Sequence, residues 1–180
     1  HNAFRSPGAI SLDELRGLLK KADYFQSLYS KMRYNLFAHS YYLNNQNIDE
    51  LLEMSFVFIC IDKSEIKKVI IEKLVSQGIP FIDTGIGVLN VDNSLIGHIR
   101  VTTGTPEKVD HLKTRITVSD DGGNNDYATN IQIAELNALN AALAVVKWKK
   151  LFGFYQDQNL EYNSVYSIND GVLINEDNLI

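Results

Sequence analysis

An unbroken apolar run, Phe56-Val-Phe-Ile-Cys-Ile, ends in an acid at Asp62 and gives way at once to a helical pattern. A short run of that kind, rich in aromatic and β-branched types, predicts a strand buried on both faces of a parallel sheet. The helical pattern from Ser64 to Gln77 sets Ile66, Val69, Ile70, Leu74 and Val75 on one face, and Gly78 closes it as a C-cap. Ile79-Pro-Phe-Ile-Asp83 reads as the next strand, with Pro80 tolerated only near its start. Strand, helix and strand make a βαβ unit, expected to cross over right-handedly. It demands a parallel pair with a helix on one sheet face. It also puts Asp62 at the carboxyl end of the first strand, where open α/β sheets bind ligands. An acid there also serves as a helix N-cap or turn residue.

Downstream the pattern changes. Two short apolar runs between Val88 and Thr103 flank Asp92-Asn93 and predict an antiparallel hairpin, and Asn163 to Ile174 predicts another around Asn169-Asp-Gly171. The chain therefore reads as α/β, parallel strands followed by antiparallel hairpins. Thr84-Gly-Ile-Gly-Val88 follows a strand but opens no helix, so it reads as a tight backbone passage rather than a phosphate loop. Gly104 to Thr129 is polar, the composition of a lid, a crossover or a disordered connection. Asp120, Asp121 and Asp126 within it miss the calcium-loop spacing and read as a solvated acidic loop. Asn130 then caps a long apolar helix carrying Leu136, Leu139, Leu143 and Val146, expected to be buried on nearly all sides, in the core or at a subunit interface. Asn137 and Asn140 need hydrogen-bond partners if buried, and they are candidates to fix that helix's register.

Upstream, Ser11-Leu-Asp-Glu14 has the form of a capping box opening a helix whose apolar face runs from Leu12 to Met32, with Gly17 as a local break. Leu36 to Leu43 reads as a strand and Asn47 to Met54 as a short helix. The 180 residues fit a single domain, and 45% hydrophobic with 22% charged residues is ordinary globular composition. A net charge of −5 without a basic stripe argues against a nucleic-acid binder. No run has the length of a membrane span, and the first residues lack the layout of a secretory signal, so a cytoplasmic setting is the default expectation. The start at His1, without an initiator methionine, suggests a fragment, a processed product or a residual tag. The lone Cys60 excludes an internal disulfide and, inside a buried strand, reads as packing. His39, His98 and His111 are isolated and read as surface or packed side chains.

Taken in order, Asn2-x-x-Arg5, Lys21-Ala22, the apolar strand with Asp62, the helix, Gly78-Ile-Pro-Phe-Ile-Asp-Thr-Gly85, and Gly97 before another strand form a series that resembles the ThiF/MoeB/HesA family, the adenylate-forming fold of ubiquitin-activating enzymes. The likeness runs over roughly residues 1 to 155. It implies a Rossmann-like, three-layer mixed sheet in one partial ThiF-like domain: a parallel part and first hairpin over 1–103, a crossover-like loop over 104–129, and a closing helix and terminal hairpin over 130–180. It implies an ATP- and Mg-dependent adenylyltransferase acting on the C-terminal carboxylate of a small ubiquitin-like or sulfur-carrier-like protein, with a homodimer as the assembly. By resemblance Asn2, Arg5 and Lys21 would bind ATP, Arg5 and Lys21 would stabilise the charge that develops on phosphate oxygens, and Asp62 would act in catalysis and hold Mg²⁺. Lys20 competes with Lys21 for its role. The family's glycine-rich nucleotide turn would precede Asn2, its zinc-binding cysteine pairs are missing, and no cysteine follows Gly97. The chain on its own is therefore expected to bind ATP poorly, and no thioester step is expected within it. The alternative is a non-catalytic α/β module that has lost nucleotide binding and dimerises through the Asn130 helix or displays the acidic loop to a partner.

Overall fold

The computed structural model describes residues 11–61, 64–116 and 133–179. Its centre is a five-stranded mixed sheet in the order β1 (Val57–Ile59), β2 (Phe81–Val91), β3 (Ser94–Gly104), β4 (Asn163–Ser167), β5 (Val172–Glu176). β1 is parallel to β2, with Val57 opposite Phe81 and Ile59 opposite Asp83. The other pairs are antiparallel. Sequence-local rules account for most of the connections. Asp92 and Asn93 both take positive φ, as the two central residues of a primed hairpin turn must. Gly171 at φ 65° serves the β4–β5 turn, and Gly78 at φ 64° ends the helix between β1 and β2.

Side-chain alternation sorts the two sheet faces. On one face, Ile59 and Phe81 pack with Ile70 and Leu74 of α3 (Ser64–Ser76) and with Ile48 and Leu51 of a 3-10 helix, Ile48–Glu53. Leu112 of the short helix α4 (Leu112–Arg115) and Ile116 just beyond it complete that cluster. On the opposite face, Ile82, Val101, Val88 and Ile99 receive Leu136 and Ala144 of α5 (Ala134–Leu151). Upstream, α1 (Leu12–Arg16) and α2 (Lys21–Tyr29) form a largely exposed arm. The capping box is present: Glu14 Oε2 accepts from the Ser11 backbone N–H at 2.8 Å, and the Glu14 N–H donates to Ser11 Oγ at 3.2 Å.

Several expectations are corrected. The Phe56–Asp62 run is not a strand buried on both faces. β1 has three residues and stands at the sheet edge, and Phe58 is 42% exposed. Cys60 lies past its end and is exposed, so it does not pack in the core. The second strand starts two residues late and runs on through Gly85 and Gly87 into the hairpin. No strand forms between Leu36 and Leu43. The long upstream helix is two short ones, parted where Leu18 takes a positive φ. The Asn47–Met54 helix is 3-10. α5 is not buried all round: Leu136, Asn140, Ala144 and Lys147 make one inward stripe, while Leu139, Val145 and Val146 remain exposed. Its described N-cap is Ile133, and Asn130 falls outside the described residues.

Candidate functional site at the carboxyl end of the first strand

β1 stops at Ile59 while β2 continues for eight residues past its partner, so the carboxyl end of β1 opens beside Thr84-Gly-Ile-Gly87. Thr84 Oγ1 donates to the Ile59 carbonyl at 3.3 Å and marks the last link between the two strands. On the α5 side, the Asn140 amide donates to the Gly85 carbonyl at 2.9 Å, so Asn140 does seat the helix on β2 as its buried polar character required.

On the α3 side lies the strongest electrostatic feature of the region. Asp83 is 0% exposed and holds two cations, Lys67 Nζ at 2.9 Å from Oδ1 and Arg100 Nη2 at 2.6 Å from Oδ2. A buried carboxylate needs such partners, because stripping water from an unpaired charge costs several kcal/mol (~). Lys67 comes from the first turn of α3 and Arg100 from β3, so the cluster clamps helix to sheet just where β1 ends. Glycine makes the reach possible: a Cβ on Gly85 would come within 2.8 Å of Arg100 Nη2, so the guanidinium can lie flat across the strand only there. Gly87 similarly leaves room for the His98 ring, and a Cβ on Gly97 would overlap the Gly87 carbonyl. The Gly-x-Gly is thus a close backbone passage, as its sequence context predicts.

The polar chain continues across the sheet. Arg100 Nη1 donates to Thr102 Oγ1, whose hydroxyl donates to Asn163 Oδ1 at 2.8 Å. The Asn163 amide donates to Glu176 at 3.1 Å, and Arg115 then pairs with Glu176 at 3.0 Å and Asp177 at 2.7 Å. Beyond α3 none of the described residues covers the same face. Leu89 is 62% exposed, and Ile96, Val172 and Ile174 on the neighbouring strands are exposed with it. By strand register they share this face with Gly85, Gly87, His98 and Val165, which gives a largely apolar surface leading to the carboxyl end of β1.

Of the residues assigned by resemblance, Asn2, Arg5 and Asp62 lie outside the described residues. Lys21 is the exposed first residue of α2. Lys20 is tied down instead: its ammonium donates to the Ser40 carbonyl at 2.8 Å. Among the described residues no side chain pairs with Lys21. The Asp120, Asp121 and Asp126 loop is also outside the described residues. Sequence reading missed Lys67, Asp83 and Arg100. The available signal was an acid between Ile82 and Thr84 inside a strand, a position that obliges a buried countercharge. No protein-family model matches this chain, and no curated protein matches it.

Proposed function

We propose that the chain is part of a ThiF-like adenylyltransferase that uses ATP and Mg to adenylate the C-terminal carboxylate of a small ubiquitin-like or sulfur-carrier-like protein. The observation that carries this reading is an apolar sheet face, open among the described residues, that leads to the carboxyl end of β1. A small folded substrate resting on Leu89, Ile96, Ile174 and Val172 would direct its terminal carboxylate toward Gly85 and the β1–α3 connection. Helices on both faces of a sheet that begins parallel and turns antiparallel support the Rossmann-like, three-layer arrangement that the resemblance implies.

In this reading Lys21, Arg5 and Asn2 bind the nucleotide phosphates, and the Lys21 ammonium, unpaired among the described residues, has its donors available for that work. The protein carboxylate attacks the α-phosphorus of ATP, pyrophosphate leaves, and Arg5 and Lys21 stabilise the negative charge on the phosphate oxygens during displacement. Mg²⁺ takes one or two carboxylates together with phosphates and water, so a single Asp62 at the strand end suits it. Magnesium would supply charge neutralisation on the phosphates. Homodimerisation through the outer side of α5, where Leu139, Val145 and Val146 are exposed, belongs to the same proposal.

ATP–pyrophosphate exchange by the full-length protein tests the assignment. Loss of one charge-stabilising donor of this type costs about a hundredfold or more, so Lys21→Ala and Arg5→Ala are expected to reduce exchange on that scale, and Asp62→Ala to weaken its Mg dependence. Exchange unaffected by all three changes removes these residues from the site. The second reading, a non-catalytic interaction module, draws on this open face together with the exposed Leu139, Val145 and Val146 of α5. It stands if calorimetry on the full-length protein shows no ATP binding while a stable partner complex forms.

A further inference from the structure

We propose that His111 is an acid-sensitive latch that docks α4 on the sheet while its imidazole is neutral and releases it when protonated. His111 is 4% exposed and immediately precedes α4. Its Nε2–H donates to the Thr103 carbonyl of β3 at 2.9 Å, which places the single proton of the neutral ring on Nε2. Nδ1 is buried and has no hydrogen-bond partner among the described residues. The ring meets Tyr162 edge-on, with centroids 5.8 Å apart. A second proton would therefore enter at Nδ1, in a pocket that offers it no acceptor at bonding distance.

The charged groups facing the ring do not rescue that state. Asp110 Oδ1 is 3.9 Å from Nδ1, too long for a hydrogen bond, and its side chain is largely in solvent. Lys108 repels a second positive charge, and Asp177 on the β5 side attracts it. Burial is the largest influence and pushes the imidazole below its ordinary value of 6.5, outweighing the pull of the Thr103 carbonyl, Asp177 and Asp110. The folded form thus favours the neutral ring. The docking free energy is complete above the unfolded histidine's pKa and is lost as pH falls below it.

Release would be local. α4 has four residues, and besides His111 it is held by Leu112 with the adjoining Ile116 in the core and by Arg115 on Glu176 and Asp177.

The test is an NMR titration of the His111 ring in the full-length protein, combined with amide exchange protection factors at pH 7.5 and pH 5. The ring is expected to titrate below the ordinary histidine value. Protection of the Arg115 and Ile116 amides is expected to fall about tenfold across that range, while α3 and α5 keep theirs. His111→Gln, which can donate to Thr103 but cannot titrate, is expected to abolish the pH dependence. A ring titrating at or above the ordinary value overturns the proposal. So does an equal loss of protection in α3 and α5, or a pH dependence that survives in His111→Gln. Should that variant not fold, the wild-type titration and exchange decide the matter alone.

Discussion

Two buried ionic clusters hold this molecule together, and they are built on opposite plans. Around Asp83, two cations share one carboxylate, and the three residues come from α3, β2 and β3. At the end of α5, Lys147 and Lys150 face Asp157 and Glu161, two charges against two, all within fifteen residues of chain. The first cluster carries an excess of positive charge and joins elements distant in sequence beside the candidate site. The second is neutral in sum and ties a helix end to the loop that follows it. A lone carboxylate shared by two cations is the less replaceable arrangement, because its removal leaves both cations without a countercharge, whereas the balanced cluster retains a partner for every remaining group.

The largest expected effect follows from that asymmetry. Asp83→Ala strands Lys67 and Arg100 and is expected to destabilise the fold by about 3–5 kcal/mol, read as a lowered urea midpoint with unchanged slope. Lys147→Met should cost less, about 2 kcal/mol, because Lys150 still faces both acids at 3.4 Å and 2.9 Å. Equal losses in the two variants would erase the distinction between the clusters. The smallest effect is a pH dependence. Burial pushes the Asp157 carboxyl up, but the hydrogen bond and charge of Lys147 outweigh it and hold the group at about 2, below its ordinary 3.8. A depressed folded-state value means stability that is complete above the unfolded carboxyl's pKa and is lost as pH falls from about 4 toward 2. Asp157→Asn is expected to flatten that acid limb in a denaturation series; an unchanged limb would place its origin elsewhere.

The same contrast explains what could be read from the sequence. Local features were legible because their physics is local. The Ser11–Glu14 box, Gly78 at the end of α3, the Asp92-Asn93 turn and the Gly171 turn each depend on a few adjacent residues, and each is present. Neighbours across the sheet were not legible. Phe56 to Asp62 has the composition of an interior strand, yet composition does not say what stands on the far side of β1, and Phe58 is left half in solvent. The apolar character of α5 likewise gave no hint that Lys147 would lie in its inward stripe, since a lysine reads as surface until the acids that neutralise it are located. Asp83 could have been found by asking what a strand acid pairs with, but Lys67 and Arg100 could not have been named, because their approach depends on strand pairing and on the missing Cβ of Gly85.

The sheet face that the described residues leave open also sets a scale for binding strength. Strands of five residues rising about 3.3 Å each, spaced about 4.8 Å apart, give the open part of β2 to β5 dimensions of roughly 17 Å by 15 Å. A partner resting on this face alone would cover a few hundred Å² per side (~), well short of the ~800 Å² per side of a lasting complex. Contact of that size belongs to encounters that form and part quickly. The flatness that Gly85 and Gly87 create there therefore favours exchange over capture for anything that rests on this face alone.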